Sequence, residues 1–204
     1  MRIVDIRKRR GRQYLLTFDT GENSLIDSRT WDESPYRLDS ELDEDEWAAL
    51  LALSRRNRAR EKALYLLSMR DHSRVELERK LRDGDNAAEA ADAAEHMEEL
   101  GLVDDARYAE RLARDLRLRK SRSRRQTIQE LRLRGVDREL AEEAADAVDT
   151  TDFEQALALL RKKRYNILDT EDRRRAAGML MRRGFDGGTT RRAIEAVMQD
   201  ESPT

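Results

Sequence analysis

The sequence predicts a mainly α-helical protein, a tandem array of three three-helix repeats of helix-turn-helix-like build, elongated and curved, with a small N-terminal antiparallel β-meander. Three observations predict it. First, one pattern recurs with a period of about 50 residues. Ser73–Leu81 precedes Gly84, Ser123–Leu131 precedes Gly135, and Asp172–Leu180 precedes Gly184. Each is a short basic helix closed by glycine, with an apolar helix before it and another after it, and a fixed period means one unit used several times. Second, the 204 residues are 38% hydrophobic, 5% aromatic and 41% charged, with a mean hydropathy of −0.91. That is a thin core under much surface, which suits an array better than a compact enzyme. Third, the only prolines, Pro35 and Pro203, leave the repeating pattern uninterrupted.

In chain order, residues 1–45 form a meander and an acidic linker. Ile3–Ile6 and Tyr14–Phe18 are rich in β-branched and aromatic residues, Arg10-Gly11 and Asp19-Thr-Gly21 are turns, and Ser24–Asp27 is a third strand. Residues 32–46 read as a loop. Residues 46–103 hold a preceding helix (Asp45–Leu53, with Trp47, Leu50 and Leu51 at helical spacing) and the first repeat. Its helices carry Ala63, Leu64 and Leu67, then Leu77 and Leu81 behind a Ser73/Glu76 capping box, then Ala90, Ala94, Met97 and Leu100 before Gly101. The second repeat, 104–150, opens at Asp104-Asp105 with Tyr108, Leu112 and Leu116. It continues through a helix capped by Ser123 with Gln126, burying Thr127, Ile128 and Leu131, to Leu140, Ala144 and Val148. The third repeat and tail, 151–204, carry Phe153, Leu157 and Leu160, then Ala176 and Leu180, then Ile194, Val197 and Met198, with Gly187-Gly188 as a loop before the last helix. Gly84, Gly135 and Gly184 end their helices because glycine enters the left-handed region at little cost.

Most catalytic chemistry lacks its residues. Without cysteine there is no disulfide or thiolate site. His72 and His96, 24 positions apart, suit turn and surface roles better than a metal site. There is no G-x-x-x-x-G-K-[ST] or G-x-G-x-x-G phosphate cradle, and no carboxylate is isolated in an apolar stretch where its pKa would rise. No enzyme activity, cofactor or metal is expected. No apolar run is long enough to span a membrane and the start lacks a secretory h-region, so a cytoplasmic protein is expected.

Charge points to a partner. The net charge of −2 conceals segregation. Arg107–Arg134 holds eleven Lys/Arg against three Asp/Glu, a local +8, and Arg161–Arg192 eleven against four, a local +7. Asp83–Asp105 holds nine acids and no Lys or Arg. Local field decides what a surface attracts, so a polyanion is a candidate ligand. The contact residues expected are Arg117, Arg119, Lys120, Arg122, Arg124, Arg125, Arg132 and Arg134 in repeat two. In repeat three they are Arg161, Lys162, Lys163, Arg164, Arg173, Arg174, Arg182 and Arg183. On the second repeat's basic helix, Arg125, Gln129 and Arg132 share a stripe away from Ile128 and Leu131. With no Asn-rich recognition face, nucleic-acid contact should be sequence-independent. The plainer alternative is a solvated face of a packing helix, with the acidic third helices pairing with basic helices of neighbouring repeats.

Two stretches carry a family resemblance. Ala63–Leu81 is similar to the opening helix pair of the RecX family of bacterial recombination regulators. Leu100-Gly-Leu-Val-Asp-Asp-Ala-Arg-Tyr-Ala109 resembles that family's glycine, paired acids, basic residue and aromatic at the join of repeats one and two, and Ile128–Gly135 resembles its second-repeat helix. The resemblance covers about Ala59 to Gln199. Ser121 departs from it, standing where a glycine-bearing loop is expected. The resemblance implies a non-enzymatic modulator of the RecA recombinase, and a monomer is expected. Such a protein lies along the RecA–single-stranded DNA filament, touches single-stranded and more weakly double-stranded DNA, and suppresses ATPase, strand-exchange and co-protease activities in recombination and the SOS response. The alternatives are a sequence-tolerant helix-turn-helix DNA-binding protein and a helical scaffold with only protein partners.

Overall fold

The structure, a computed structural model, describes residues 1–82, 86–163 and 165–201. The chain forms two compact units, Met1–Val103 and the part from Asp104 onward. Among the described residues there are ten α-helices and one three-stranded sheet, and no helix is long and apolar enough to cross a membrane.

In the first unit β1 (Ile3–Arg9), β2 (Gln13–Phe18) and β3 (Asn23–Asp27) pair antiparallel in the order β1-β2-β3. Gly11 and Gly21 turn the chain at φ 81° and 86°. One face of the sheet buries Ile3, Leu16, Phe18 and Ile26 against Trp31, Leu42 and Leu50, with Trp47 edge-on to Phe18 at 4.8 Å between ring centroids. A three-stranded sheet needs such a cover.

Two elements differ from the sequence expectation. α1 (Ser28–Glu33) stands where the linker was expected to begin, because Asp27 caps it through the Thr30 amide at 3.0 Å and Trp31 plugs the sheet. α2 (Glu44–Met69) is one helix of 26 residues rather than two. Its start is an Asp43/Glu46 capping box, and the polar stretch from Ser54 to Lys62 contains neither glycine nor proline to break it. α2 therefore serves both cores: Leu50 lies in the sheet core, and Ala59 and Ala63 lie in the first repeat's core with α3 (Arg74–Leu81) and α4 (Ala87–Glu99). Ala90, Ala93 and Ala94 are fully buried there, so the helices approach closely. Gly101, at φ 67°, follows α4; Gly84 lies outside the described residues. His72 is buried, its Nδ1 2.8 Å from the Arg70 carbonyl, and so is no surface residue.

In the second unit α5 (Asp105–Arg114) continues into a π-helical turn, Asp115–Arg119. α6 (Arg124–Leu133) and α7 (Arg138–Asp146) complete repeat two around Tyr108, Ala109, Ala113, Leu131, Val136 and Ala144. α8 (Asp152–Lys163), α9 (Thr170–Arg182) and α10 (Gly187–Glu201) form repeat three around Leu160, Ile167, Leu180, Phe185 and Val197. Gly135 and Gly184, at φ 84° and 87°, end α6 and α9 as expected. α9 starts two residues earlier than the repeat suggested, because Asp169 caps the Asp172 amide at 2.9 Å. Gly187-Gly188 is the first turn of α10 rather than a loop. Asp186 accepts from the Thr189 amide and hydroxyl at 2.9 and 2.7 Å, and that cap holds the glycines helical.

Candidate polyanion interface

Several contacts among the described residues join repeats two and three. Ser123 caps α6 through the Gln126 amide at 3.2 Å, while its own amide donates to the Arg183 carbonyl at 3.0 Å. Gly184 follows Arg183 so closely that an added Cβ would fall 2.5 Å from Ser123 Oγ and 2.8 Å from Gln126 Cβ. Arg117, turned inward from the π-helical stretch, donates to Asp152 Oδ1 at 2.8 Å and to the Thr150 carbonyl at 2.6 Å. Asp152 Oδ1 also accepts from the Arg124 amide at 2.8 Å. One carboxylate thus ties the starts of α6 and α8 to the middle of the π-helical turn. Ser121 takes a φ of 49°, a left-handed conformation that glycine adopts at less cost.

These contacts shape a cleft of about 560 Å³ between the π-helical turn, α8 and α9. Leu159 and Met179 lie among its lining, and Arg119, Lys120, Arg122, Lys162, Lys163, Arg182 and Arg183 surround them. Lys120 and Arg119 lie 3.0 and 3.7 Å from Asp115, Arg122 donates to Gln126 Oε1 at 2.9 Å, and Arg183 donates to the Lys120 carbonyl. Lys162, Lys163 and Arg182 are exposed and form no ion pair among the described residues. Seven cations around one concavity focus a positive field there.

The other expected contact residues are placed differently. Arg117 is corrected: it is 3% exposed, so it braces the repeat junction and is not available to a surface ligand. Arg124 pairs with Asp146 at 2.5 and 2.7 Å; the shared hydrogen bonds raise the arginine's pKa and lower the aspartate's. Arg134 bonds Glu130 and the Tyr108 hydroxyl. Arg161 pairs with Asp200 at 2.5 Å, and Arg173 reaches the Ile167 carbonyl and Thr170. Arg125 and Arg132 stand exposed with Gln129 on the outer stripe of α6, and Arg174 is exposed on α9. Arg164 lies outside the described residues. Sequence reasoning missed Asp152, whose role needs a π-helical turn that no residue pattern announces.

The fold and this cleft define a class: a tandem array of three-helix units, two of which share a cationic concavity. Family comparison agrees with that division. Models of the first, second and third three-helix domains of RecX match residues 59–94, 104–144 and 150–194. The regulatory protein RecX of Stenotrophomonas maltophilia (strain R551-3) is 40% identical over 136 residues, covering 65% of this chain and 83% of that protein. The regulatory protein RecX of Halorhodospira halophila is 35% identical over 146 residues, covering 70% and 89%. A crystal structure of regulatory protein RecX shares the fold with a TM-score of 0.62 at 20% identity, covering 98% of this chain and 99% of that one. RecX from Lactobacillus salivarius does so with a TM-score of 0.61 at 23% identity, covering 72% and 99%. The chain belongs to the RecX family of regulatory proteins.

Proposed function

We propose that this protein is a non-enzymatic, monomeric, cytoplasmic regulator that binds the RecA–single-stranded DNA filament and suppresses its ATPase, strand-exchange and co-protease activities. The observation that carries the reading is the cleft of seven cations shared by repeats two and three, in a chain of the RecX family. Membership supports the RecA filament as partner, and the cleft's positive field suits a nucleoprotein polyanion. Lys162, Lys163 and Arg182 supply the contact with the least internal competition. Arg125 and Arg132 extend it along α6.

The test adds the protein stoichiometrically to RecA assembled on single-stranded DNA with ATP. ATP hydrolysis and strand exchange should fall, and Lys162→Gln/Lys163→Gln/Arg182→Gln should restore most of both. No change on adding the wild-type protein refutes the reading. The exposed Arg125, Gln129 and Arg132 stripe favours one rival, a sequence-tolerant duplex-binding protein. Tight binding to naked duplex without any effect on RecA selects that rival.

A further inference from the structure

The first unit carries a second basic surface, on residues that largely precede the family match beginning at residue 59. The β1–β2 hairpin reads Arg7-Lys-Arg-Arg-Gly-Arg12. Its tip is fixed onto α2: Arg12 donates to Glu61 Oε1 at 2.9 Å, and its carbonyl accepts from the Ser28 amide at 2.9 Å. Beside the tip lies a cleft of about 840 Å³, whose lining includes Gln13 from the hairpin and Arg55, Arg58, Lys62 and Tyr65 from α2. Arg9 stands directly across the ladder from Gln13, and residues opposed across a ladder share a face. Arg55, Arg58 and Lys62 are three and four residues apart, so they form one stripe along the helix. Among the described residues, two carboxylates border the space, Glu61, already engaged by Arg12, and Glu89. Tyr65, three residues beyond Lys62, is 65% exposed.

We propose that this hairpin–α2 cleft is a separate binding site for single-stranded nucleic acid, with Arg9, Arg55, Arg58 and Lys62 meeting phosphates and Tyr65 stacking on a base. The cations alone would accept any polyanion. The exposed ring selects the single strand, because an unpaired base offers its face and a duplex does not.

The test uses the full chain and fluorescein-labelled oligo-dT, read by anisotropy at several salt concentrations. It is run in a Lys162→Gln/Lys163→Gln/Arg182→Gln background, so the second-unit cleft contributes little and the two readings fail separately. Arg55→Gln/Arg58→Gln/Lys62→Gln should weaken binding about tenfold or more and flatten the log–log salt slope by about 2, at about 0.7 for each phosphate that is no longer neutralised. Tyr65→Ala should cost at least about fivefold, from a stacked base, and Tyr65→Phe should cost little. Melting temperatures identify a variant that fails to fold, and Arg9→Gln/Arg10→Gln at the exposed tip then takes its place. Unchanged affinity in both the cation and Tyr65→Ala variants overturns the proposal. So does an equal weakening on blunt duplex, or displacement of oligo-dT by polyglutamate at lower charge concentration than by unlabelled oligo-dT, which would point to an acidic protein.

Discussion

Gly184→Ala tests how the two repeats of the second unit are held together. Two costs add at this position. At φ +87° the backbone lies in the left-handed region, where an L side chain costs about 1–2 kcal/mol. The new Cβ would also sit 2.5 Å from Ser123 Oγ and 2.8 Å from Gln126 Cβ. Ser123 caps α6 and its amide holds the Arg183 carbonyl, so it cannot retreat without giving up both hydrogen bonds, and overpacking of this kind costs about 1–3 kcal/mol. We expect a total near ~3 kcal/mol, which moves the urea midpoint by about 2 M at a slope of about 1.5 kcal/mol/M. Gly101→Ala is the yardstick. Its φ is +67° and nothing lies within 4 Å of the added Cβ, so only the conformational cost of about 1 kcal/mol applies. Both tryptophans, Trp31 and Trp47, belong to the first unit. Far-UV circular dichroism should therefore register Gly184→Ala, and tryptophan fluorescence Gly101→Ala. Ser123→Ala removes the nearer clash at the expense of the cap. In that background Gly184→Ala should cost about 1 kcal/mol less, a coupling within the range for touching residues. Equal costs at the two glycines, or no coupling to Ser123, would refute the close-approach argument.

Three further outcomes are expected. Arg117→Met should destabilise the second unit by about 2–3 kcal/mol in urea, below the full cost of breaking a buried pair because Asp152 remains 25% exposed. Arg117→Met/Asp152→Asn should recover part of that stability. Lys162→Gln/Lys163→Gln/Arg182→Gln should flatten the salt slope of oligo-dT binding by about 2 while leaving the melting temperature within a degree or two, since all three are exposed. Acid should weaken the second unit through its caps. The Thr189 hydroxyl and amide hold Asp186 below the ordinary carboxylate range, and the Glu139 and Arg138 amides do the same for Asp137. Depressed folded values mean that this stability is full above about pH 4 and is lost as pH falls through them. Asp186→Asn, a neutral stand-in for the protonated carboxyl, should lower the urea midpoint at about pH 7 and flatten its pH dependence between about pH 4 and 2, so that mutant and wild type converge in acid.

The repeats were legible because their signals are local. Ser73, Ser123, Gly135 and Gly184 act within a few residues of chain, and each cap or stop appears where the pattern puts it. The continuity of α2 was less legible, since its polar middle from Ser54 to Lys62 lacks the apolar periodicity that announces a helix and also lacks any breaker. The site was half legible. Composition located the cations but not their partners. Arg117 and Arg119 are neighbours in one basic run, yet a π-helical turn sends the first to Asp152 inside and leaves the second exposed. No residue of that turn marks where the extra residue enters the helix. The tertiary contacts with Asp152 and Thr150 select it.

The acidic helices explain why a chain of net charge −2 still presents a cationic cleft. Among the described ion pairs, the acids of the third helices are met by arginines of their own repeat rather than of a neighbouring one. Arg60 and Arg74 reach Asp92 and Glu98 on α4, Arg124 reaches Asp146 on α7, and Arg161 reaches Asp200 on α10. Arg74 and Arg124 are equivalent, each directly following its capping serine, so that pairing recurs as the repeat does. Such exposed pairs are individually worth little to stability. Their consequence is spatial. Each consumes an acid on the third helix of its own repeat, and in the second unit Asp115 is the one carboxylate among the described ion pairs that reaches the cleft cations. Charge reversal of Asp146 or Asp200 should therefore alter polyanion affinity much less than adding a carboxylate at Lys162 or Lys163, although each change shifts net charge in the cation–anion balance by the same magnitude. Equal effects of these single reversals on the salt slope would mean that total charge, and not its placement, governs binding.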